Sequence, residues 1–440
     1  MTKDSQQKPK VGAQTRQAAM NHLLDFEKVS FDYGASAPKA SDEELNSRYV
    51  KGEIRIVTEQ ARYPLAGILK MLKEEIEGDT GEKELRYKLD PEYQRRHRWT
   101  DERKSRLIES FLINVPVPPI FLYEYDLARF EVMDGRQRLS ALSDFYADEF
   151  ALTGLQHWSE LDGRKYSELP SKVRDGIDRR YISSVILLQE TAASDEQAAM
   201  LKKLVFERLN SGGVKLASQE TRNAVYNGPL NKLCLELSAN DKFQRMWGIP
   251  VDPKPEEKDA DEEAEETLDE STRAGIRKRA GISMFEKMED VELVLRFFAY
   301  RKIGEFKAGL NKISDFLDRF IIEGNKFPSV GLEKYRSMFD ETVDFLWKAL
   351  GKGAFTVLTP SKTRPTKIVY DPLMFAANNP DVKLHHANLI KNKKKLRDEL
   401  KEMYEREHDL FSGRRTNFKD TQDRNHCVSE AFAAAIAKIR

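Results

Sequence analysis

Cysteine is scarce in this chain: two residues in 440, Cys234 and Cys427. They cannot build a disulfide framework or a cysteine-based zinc site, which excludes the small secreted scaffolds and points to a reducing compartment. Net charge is absent as well, because 73 Lys+Arg balance 73 Asp+Glu. A protein that coats nucleic acid through bulk basicity is thereby excluded, and anion binding must come from local charge segregation. No apolar run approaches the roughly 18 to 20 residues of a membrane span. The opening MTKDSQQKPKVGAQ holds no apolar core for a signal peptide. A soluble, cytoplasmic protein is expected. There is also no Walker A pattern, since the pair Gly351-Lys352 lacks the preceding glycine and the following Ser/Thr.

What is present suffices for folded domains. Hydrophobic residues make up 40% and aromatics 10%, too many for wholesale disorder. At roughly 150 residues per domain, two or three domains are expected. Residues 1–45 show no sustained periodicity and read as a flexible arm. Residues 46–190 then alternate strand and helix signals. Ile54-Arg55-Ile56-Val57 reads as a strand, and Leu65, Ile68, Leu69, Leu72 and Ile76 fall at helical spacing. Leu85 to Leu89 alternates again. Thr100 or Asp101 would cap a helix whose Leu107, Ile108, Phe111 and Leu112 share one face, and Val115-Pro116-Val117-Pro118-Pro119 stops it. Two β-rich runs, Ile120–Tyr123 and Phe130–Met133, follow as a hairpin or neighbouring strands, and Ile182 to Leu188 reads as a buried strand. Residues 191–440 are almost entirely helical, with helices expected over 284–303, 305–323, 331–350, 383–411 and 426–439. An acidic linker at about 252–275 interrupts them, eleven of its residues 252–270 being Asp or Glu. The fold class expected is α+β: a mixed αβ N-terminal domain followed by a mainly α-helical C-terminal region.

Three clusters carry candidate chemistry. In Asp134-Gly135-Arg136-Gln137-Arg138 a strand passes through a glycine turn into a helix. Glycine lets the backbone approach a ligand, the helix N–H groups point at the crevice, and two arginines offer planar forks suited to phosphate. Asp134 would pair with an arginine, accept from a ribose, or ligate Mg²⁺. The alternative is a structural turn closed by an Asp–Arg pair. In the second cluster, Gln94-Arg95-Arg96-His97-Arg98-Trp99 with Arg103, Lys104 and Arg106, cations stand beside an aromatic, as nucleotide or nucleic-acid contact requires. The alternative is a charged helix entrance with Trp99 packed in the core. In the third, Phe206 to Leu216 and Gln219 to Asn223, Asn210-Ser211-Gly212-Gly213 stops one helix and Ser218 would cap the next. Capping leaves the crowding of Glu207, Arg208, Glu220, Arg222 and Asn223 at this corner unexplained.

His385-His386 with His408 invites a nuclease reading, but LHHANLIKNKKKLRDELKEMYEREHDLF reads as one charged amphipathic helix without the β-hairpin a ββα-metal nuclease needs. Cys427 beside His426 has no companion ligands. The Lys391 to Lys395 run either touches nucleic acid or is a solvated face.

Together these residues resemble the domain forming the N-terminal half of GmrSD-type, modification-dependent restriction enzymes and related phage-defence proteins. The matching pieces are Asp90-Pro91-Glu92-Tyr93-Gln94-Arg95 to Trp99, Leu107-Ile108-Glu109-Ser110, Pro118-Pro119-Ile120, Val132 to Leu139, Phe206 to Gly213, and Gln219 to Asn223, in the family's order over about residues 50–230. The resemblance implies a ParB/sulfiredoxin-like fold whose Gly-x-x-Arg turn, here Gly135 to Arg138, holds nucleotide phosphates. It further implies that the family's Asp-Gly-Gln-Gln-Arg motif binds and hydrolyses a nucleoside triphosphate with Mg²⁺ to regulate an attached or partner nuclease. Asp134, Gly135, Gln137 and Arg138 match that motif, as do Gln94 and Arg95. Arg136 replaces the usual Gln, which adds a cation and removes a water-positioning amide.

On this resemblance the catalytic candidates are Asp134, Gln137, Arg138, Glu207 and Glu220, with Asp134 also the Mg²⁺ ligand. The nucleotide-binding candidates are Gln94, Arg95, Gly135, Arg136, Arg138, Asn210 and Arg222. No His-Asn-His nuclease domain is recognisable, so the expected protein is a nucleotide-binding, hydrolysing sensor of a prokaryotic defence system. DNA and a partner nuclease are its expected partners, and no membrane is. The competing readings are a non-catalytic ParB-like DNA-binding module and a DNA endonuclease.

Overall fold

The computed structural model describes residues 24–27, 41–51, 56–77, 81–89, 99–188, 195–209, 217–250, 280–305, 313–358, 364–413 and 418–439. They fall into two compact units, one of residues 36–216 with 221–225, the other of 1–35, 217–220 and 226–440.

The first unit is built on a five-stranded mixed sheet. Its strands are β1 (Thr58–Pro64), β4 (Tyr87–Lys88), β5 (Ile120–Asp126), β6 (Arg129–Asp134) and β7 (Tyr181–Leu187), in the order β1-β7-β5-β6-β4. The pairs β1·β7 and β5·β6 are antiparallel, whereas β5·β7 and β4·β6 are parallel. A separate hairpin joins β2 (Glu75–Glu77) to β3 (Lys83–Leu85). The helices are α1 (Asp42–Lys51), α2 (Ile68–Leu72), α3 (Asp101–Leu112), α4 (Arg136–Tyr146), α5 (Ser171–Asp178) and α6 (Asp195–Leu209).

Most of these elements follow local signals. The hydroxyl of Thr100 accepts from Arg103 N at 3.4 Å and caps α3, which buries Leu107, Ile108 and Phe111. Helix α4 buries Leu139, Leu142 and Phe145 in the same core as Ile120, Leu122, Val132 and Ile182. Each such side chain contributes about 1.5–3 kcal/mol by leaving water. The expected strand at Ile54–Val57 is displaced: pairing runs over Thr58–Pro64, and residues 54–55 lie outside the described segments. The helix expected from Leu65 to Ile76 stops at Leu72, and Ile76 pairs with Glu84 in the hairpin. A Glu-Ile-Glu triplet satisfies a period of two as well as a period of 3.6, and cross-strand pairing decided between them.

Within the segment read as an arm, α1 begins at Asp42 behind a capping box, with Ser41 N donating to Glu44 Oε2 (2.8 Å) and Glu44 N to Ser41 Oγ (3.3 Å). Glu27 is fully buried in the second unit.

That second unit is helical: α7 (Ser218–Val225, shared with the first unit), α8 (Pro229–Ser238), α9 (Asp241–Trp247), α10 (Glu289–Ala299), α11 (Ile313–Gly324), α12 (Ser329–Leu350), α13 (Lys367–Ala377), α14 (Pro380–Lys383), α15 (His386–Lys391), α16 (Lys393–Arg406) and α17 (Phe418–Ile439). Its core is aromatic, with Phe298 stacked on Tyr335 at 4.2 Å and Phe243, Phe339 and Tyr370 around them. The helix expected over 284–303 breaks at Met288, which takes φ 55°, and the one expected over 383–411 breaks at Leu384–His385 and again at Asn392. Among the described residues no helix is long and apolar enough to cross a membrane. The architecture is α+β, as expected; the acidic linker lies outside the described residues.

Candidate functional site

Strand β6 ends at Asp134 and α4 begins at Arg136, so one residue must reverse the chain. Gly135 does so with φ 90° and ψ 10°. A Cβ there would stand 2.5 Å from Cγ2 of Ile120 and 3.1 Å from Nη2 of Arg138. Steric crowding and backbone sign both restrict this position to glycine. The N-cap Gly135 makes no side-chain cap hydrogen bond, and the first turn of α4 contains no acid.

Arg138 folds back over this turn. Its Nη2 donates to Asp134 Oδ2 at 2.9 Å and to the Pro119 carbonyl at 3.1 Å. The Asp–Arg closure that the sequence allowed is therefore present, with the Arg138 side chain 15% and the Asp134 side chain 40% exposed. Gln137 Oε1 accepts from Trp99 N at 3.2 Å, which joins the end of the second sequence cluster to the turn. Two buried donors at the turn, Gln137 Nε2 and Arg138 Nε, have no hydrogen-bond partner among the described residues. Buried donors of this kind are costly unless a ligand or water completes them.

Arg136 is placed differently from the phosphate cation suggested by its position in the motif. It is 4% exposed, its Nε donates to the Val132 carbonyl at 2.7 Å, and its Nη2 lies 3.8 Å from Glu131 Oε1. Lys202 of α6 pairs with the other oxygen of Glu131. Sequence reading missed this carboxylate with two cations. Its signal was Lys202 one helical turn before Phe206, a cation on an apolar helix face that must find a buried partner.

The second cluster is described only from Trp99 onward; Gln94 and Arg95 lie outside the described residues. Trp99 packs half-buried against the core with the Arg103 guanidinium 4.7 Å from its ring centre. Lys104 sits between Asp101 (3.1 Å) and Asp144 (3.0 Å), and Arg106 pairs with Glu102 (2.6 Å). Each described cation here already has a partner. On the same helix Glu109, buried, accepts from the N–H groups of Gln156 (3.2 Å), His157 (2.6 Å) and Trp158 (3.1 Å). Burial pushes its carboxyl up, but the three donors outweigh that and hold it below the ordinary glutamate value.

In the third cluster Glu207 is exposed on α6 and pairs with Lys203 at 3.8 Å, while Asn210, Gly212 and Gly213 lie outside the described residues. The expected cap at Ser218 is corrected: α7 starts at Ser218, Ala217 occupies the capping place, and Glu220 reaches back to accept from Ala217 N. Burial raises the Glu220 carboxyl, only partly offset by that N–H. Arg222 and Asn223 are buried.

Among the described residues no group of three His, Cys, Asp or Glu could hold a metal ion. Asp134 offers one carboxylate, and Mg²⁺ characteristically takes one or two carboxylates and completes its shell with other oxygens. The nuclease histidines are dispersed: His386 stacks on Phe345 at 3.7 Å with Nε2 3.0 Å from the Ala377 carbonyl, His385 bonds the Asp381 carbonyl, and His408 is exposed. Burial pushes the Cys427 thiol up to about 11, which makes it a poor nucleophile.

Residues 68–227 match the family model described as GmrSD restriction endonuclease, N-terminal domain. No curated protein and no solved structure matched the chain. The matched segment contains the Asp134–Arg138 turn, Trp99, Glu109, Glu207, Glu220 and Arg222. The family points to a component of a restriction or defence system. Over residues 68–227 the chain is similar to the N-terminal domain of GmrSD-type restriction endonucleases.

Proposed function

We propose that this chain is a nucleoside-triphosphate-binding regulatory component of such a system, acting in the cytoplasm with a partner nuclease, and that the Asp134–Arg138 turn is its phosphate site. The carrying observation is the glycine turn itself: a backbone held in the left-handed region, with no room for a Cβ, at the uncapped start of an eleven-residue helix under an arginine. Gln137 Nε2 and Arg138 Nε supply further donors that phosphate oxygens would complete.

Phosphoryl transfer depends on charge neutralisation and in-line geometry more than on covalent chemistry. Arg138 would neutralise phosphate charge, and its hold on the Pro119 carbonyl fixes where the guanidinium stands. Asp134 would hold Mg²⁺, which would supply further neutralisation of phosphate charge. Gln137, held by Trp99 N, would orient water. Arg136 would act as an anchor of the turn through Val132 and Glu131 rather than as an extra phosphate contact.

Calorimetry of the full chain with ATP, GTP, CTP and UTP in Mg²⁺ buffer tests this reading. At least one nucleotide should bind, and Arg138→Ala should abolish that binding while the circular dichroism spectrum is kept. Equal affinity in the variant would sink the proposal.

A further inference from the structure

The second unit carries a charge pattern that folding does not require. Across 391–397 stand five cations, Lys391, Lys393, Lys394, Lys395 and Arg397, and no acid. The acids of α16 come afterwards, at Asp398, Glu399, Glu402 and Glu405. A helix prefers the reverse, because its N-terminal end is partially positive and its C-terminal end partially negative. Segregation against the dipole is a local conflict, and such conflicts concentrate at functional positions.

Two of the five cations hold the ends of other helices. Lys395 Nζ donates to the Lys438 carbonyl at the end of α17 (2.6 Å), and Arg397 Nη2 donates to the Leu350 carbonyl at the end of α12 (3.0 Å). Both satisfy helix C-terminal carbonyls. Lys391, Lys393 and Lys394 differ, since all three are exposed and among the described residues none forms an ion pair. The contrast with Lys104 and Arg106, each matched by a carboxylate, is direct.

We infer that the junction of α15 and α16, through Lys391, Lys393 and Lys394, is a docking surface for the phosphate backbone of duplex DNA. Lys391 closes α15 and Lys393 and Lys394 open α16 on either side of Asn392, so three exposed point charges gather at one helix junction, which suits a polyanion and carries no base specificity. Zero net charge over the whole chain confines the attraction to local surfaces such as this one. Among polyanions, the match of residues 68–227 to a restriction-endonuclease domain selects DNA. The inference does not rest on nucleotide binding.

The test is fluorescence anisotropy of a short labelled duplex against the full chain over a salt series. Removing one phosphate contact lowers the slope of log K against log salt by roughly 0.9. The triple variant Lys391→Gln, Lys393→Gln, Lys394→Gln should therefore bind at least about tenfold more weakly at low salt, with a slope reduced by roughly 2 to 3. Circular dichroism should stay unchanged, and the single variants should each remove a fraction of the slope, which keeps the test decisive if the triple variant misfolds. The titration is run without nucleotide, so a failure of the nucleotide reading remains distinguishable. Unchanged affinity and slope in the triple variant would overturn the inference. So would lysine-dependent binding to phosphatidylserine vesicles without binding to the duplex.

Discussion

Arg138 Nη2 lies 2.9 Å from Asp134 Oδ2, one helical turn earlier in sequence, and the same nitrogen reaches the Pro119 carbonyl at 3.1 Å. One guanidinium group thus ties together the end of β6, the first turn of α4 and the start of β5. Because Asp134 remains 40% exposed, the ion pair itself stabilises little, about 0–1 kcal/mol. Arg138→Ala should lower the unfolding free energy by no more than about 1–2 kcal/mol, the extra coming from the Pro119 hydrogen bond. Urea unfolding measures this. A much larger loss would make Arg138 chiefly a structural clamp.

Gly135 offers a sharper discrimination. Gly135→Ala should cost about 2–4 kcal/mol, from the positive φ and from the contact with Ile120. Asparagine tolerates the left-handed region better than alanine but has the same Cβ. Gly135→Asn should therefore be nearly as damaging. A rescue to wild-type melting temperature by Asn would show that φ, and not the approach of Ile120, restricts this position.

Glu109 makes the first unit acid-sensitive. Its folded carboxyl is held below the ordinary value of 4.5, so its stabilising contribution is complete above that pH and is lost as pH falls through the lower folded value. Glu109→Gln, which cannot satisfy three N–H donors equally, should cost about 1–3 kcal/mol at neutral pH and flatten the acid limb of the stability curve. Chemical denaturation at neutral pH and again below the ordinary carboxyl value of 4.5 makes the comparison.

Glu27 predicts behaviour for the N-terminal segment. It is fully buried, with Arg301 Nε 3.1 Å from Oε1 and Nη2 3.0 Å from Oε2, and with Tyr335 donating to Oε1 at 2.6 Å. Removing one side of a buried pair costs about 3–5 kcal/mol. Glu27→Gln should lower the melting temperature of the helical unit and expose residues near 24–27 to protease. Unchanged proteolysis would mean that this carboxylate does not anchor the segment.

Much of this was legible in the residues. Thr100 before Leu107, Ile108 and Phe111 announces a capped amphipathic helix, and Phe130 to Met133 running into Gly135 announces a strand, turn and helix, because those signals are local. The slip of β1 to Thr58–Pro64 was not legible, since its register is set by β7, more than a hundred residues away. Nor was the break at Met288, where the apolar periodicity continues across a residue in the left-handed region.

At the site the division is similar. Sequence by itself determined that a glycine turn with flanking arginines starts a helix, because the identity of Gly135 and the spacing to Arg138 are properties of a few consecutive residues. Tertiary structure decided which arginine faces the turn: Arg138 covers it, while Arg136 is drawn to Glu131 beside Lys202. Two arginines two residues apart point to different sides of a helix, and only the packing of α6 over β6 determines which side is buried. The same reason separates Lys395 and Arg397, which hold the ends of other helices, from Lys391, Lys393 and Lys394, which do not.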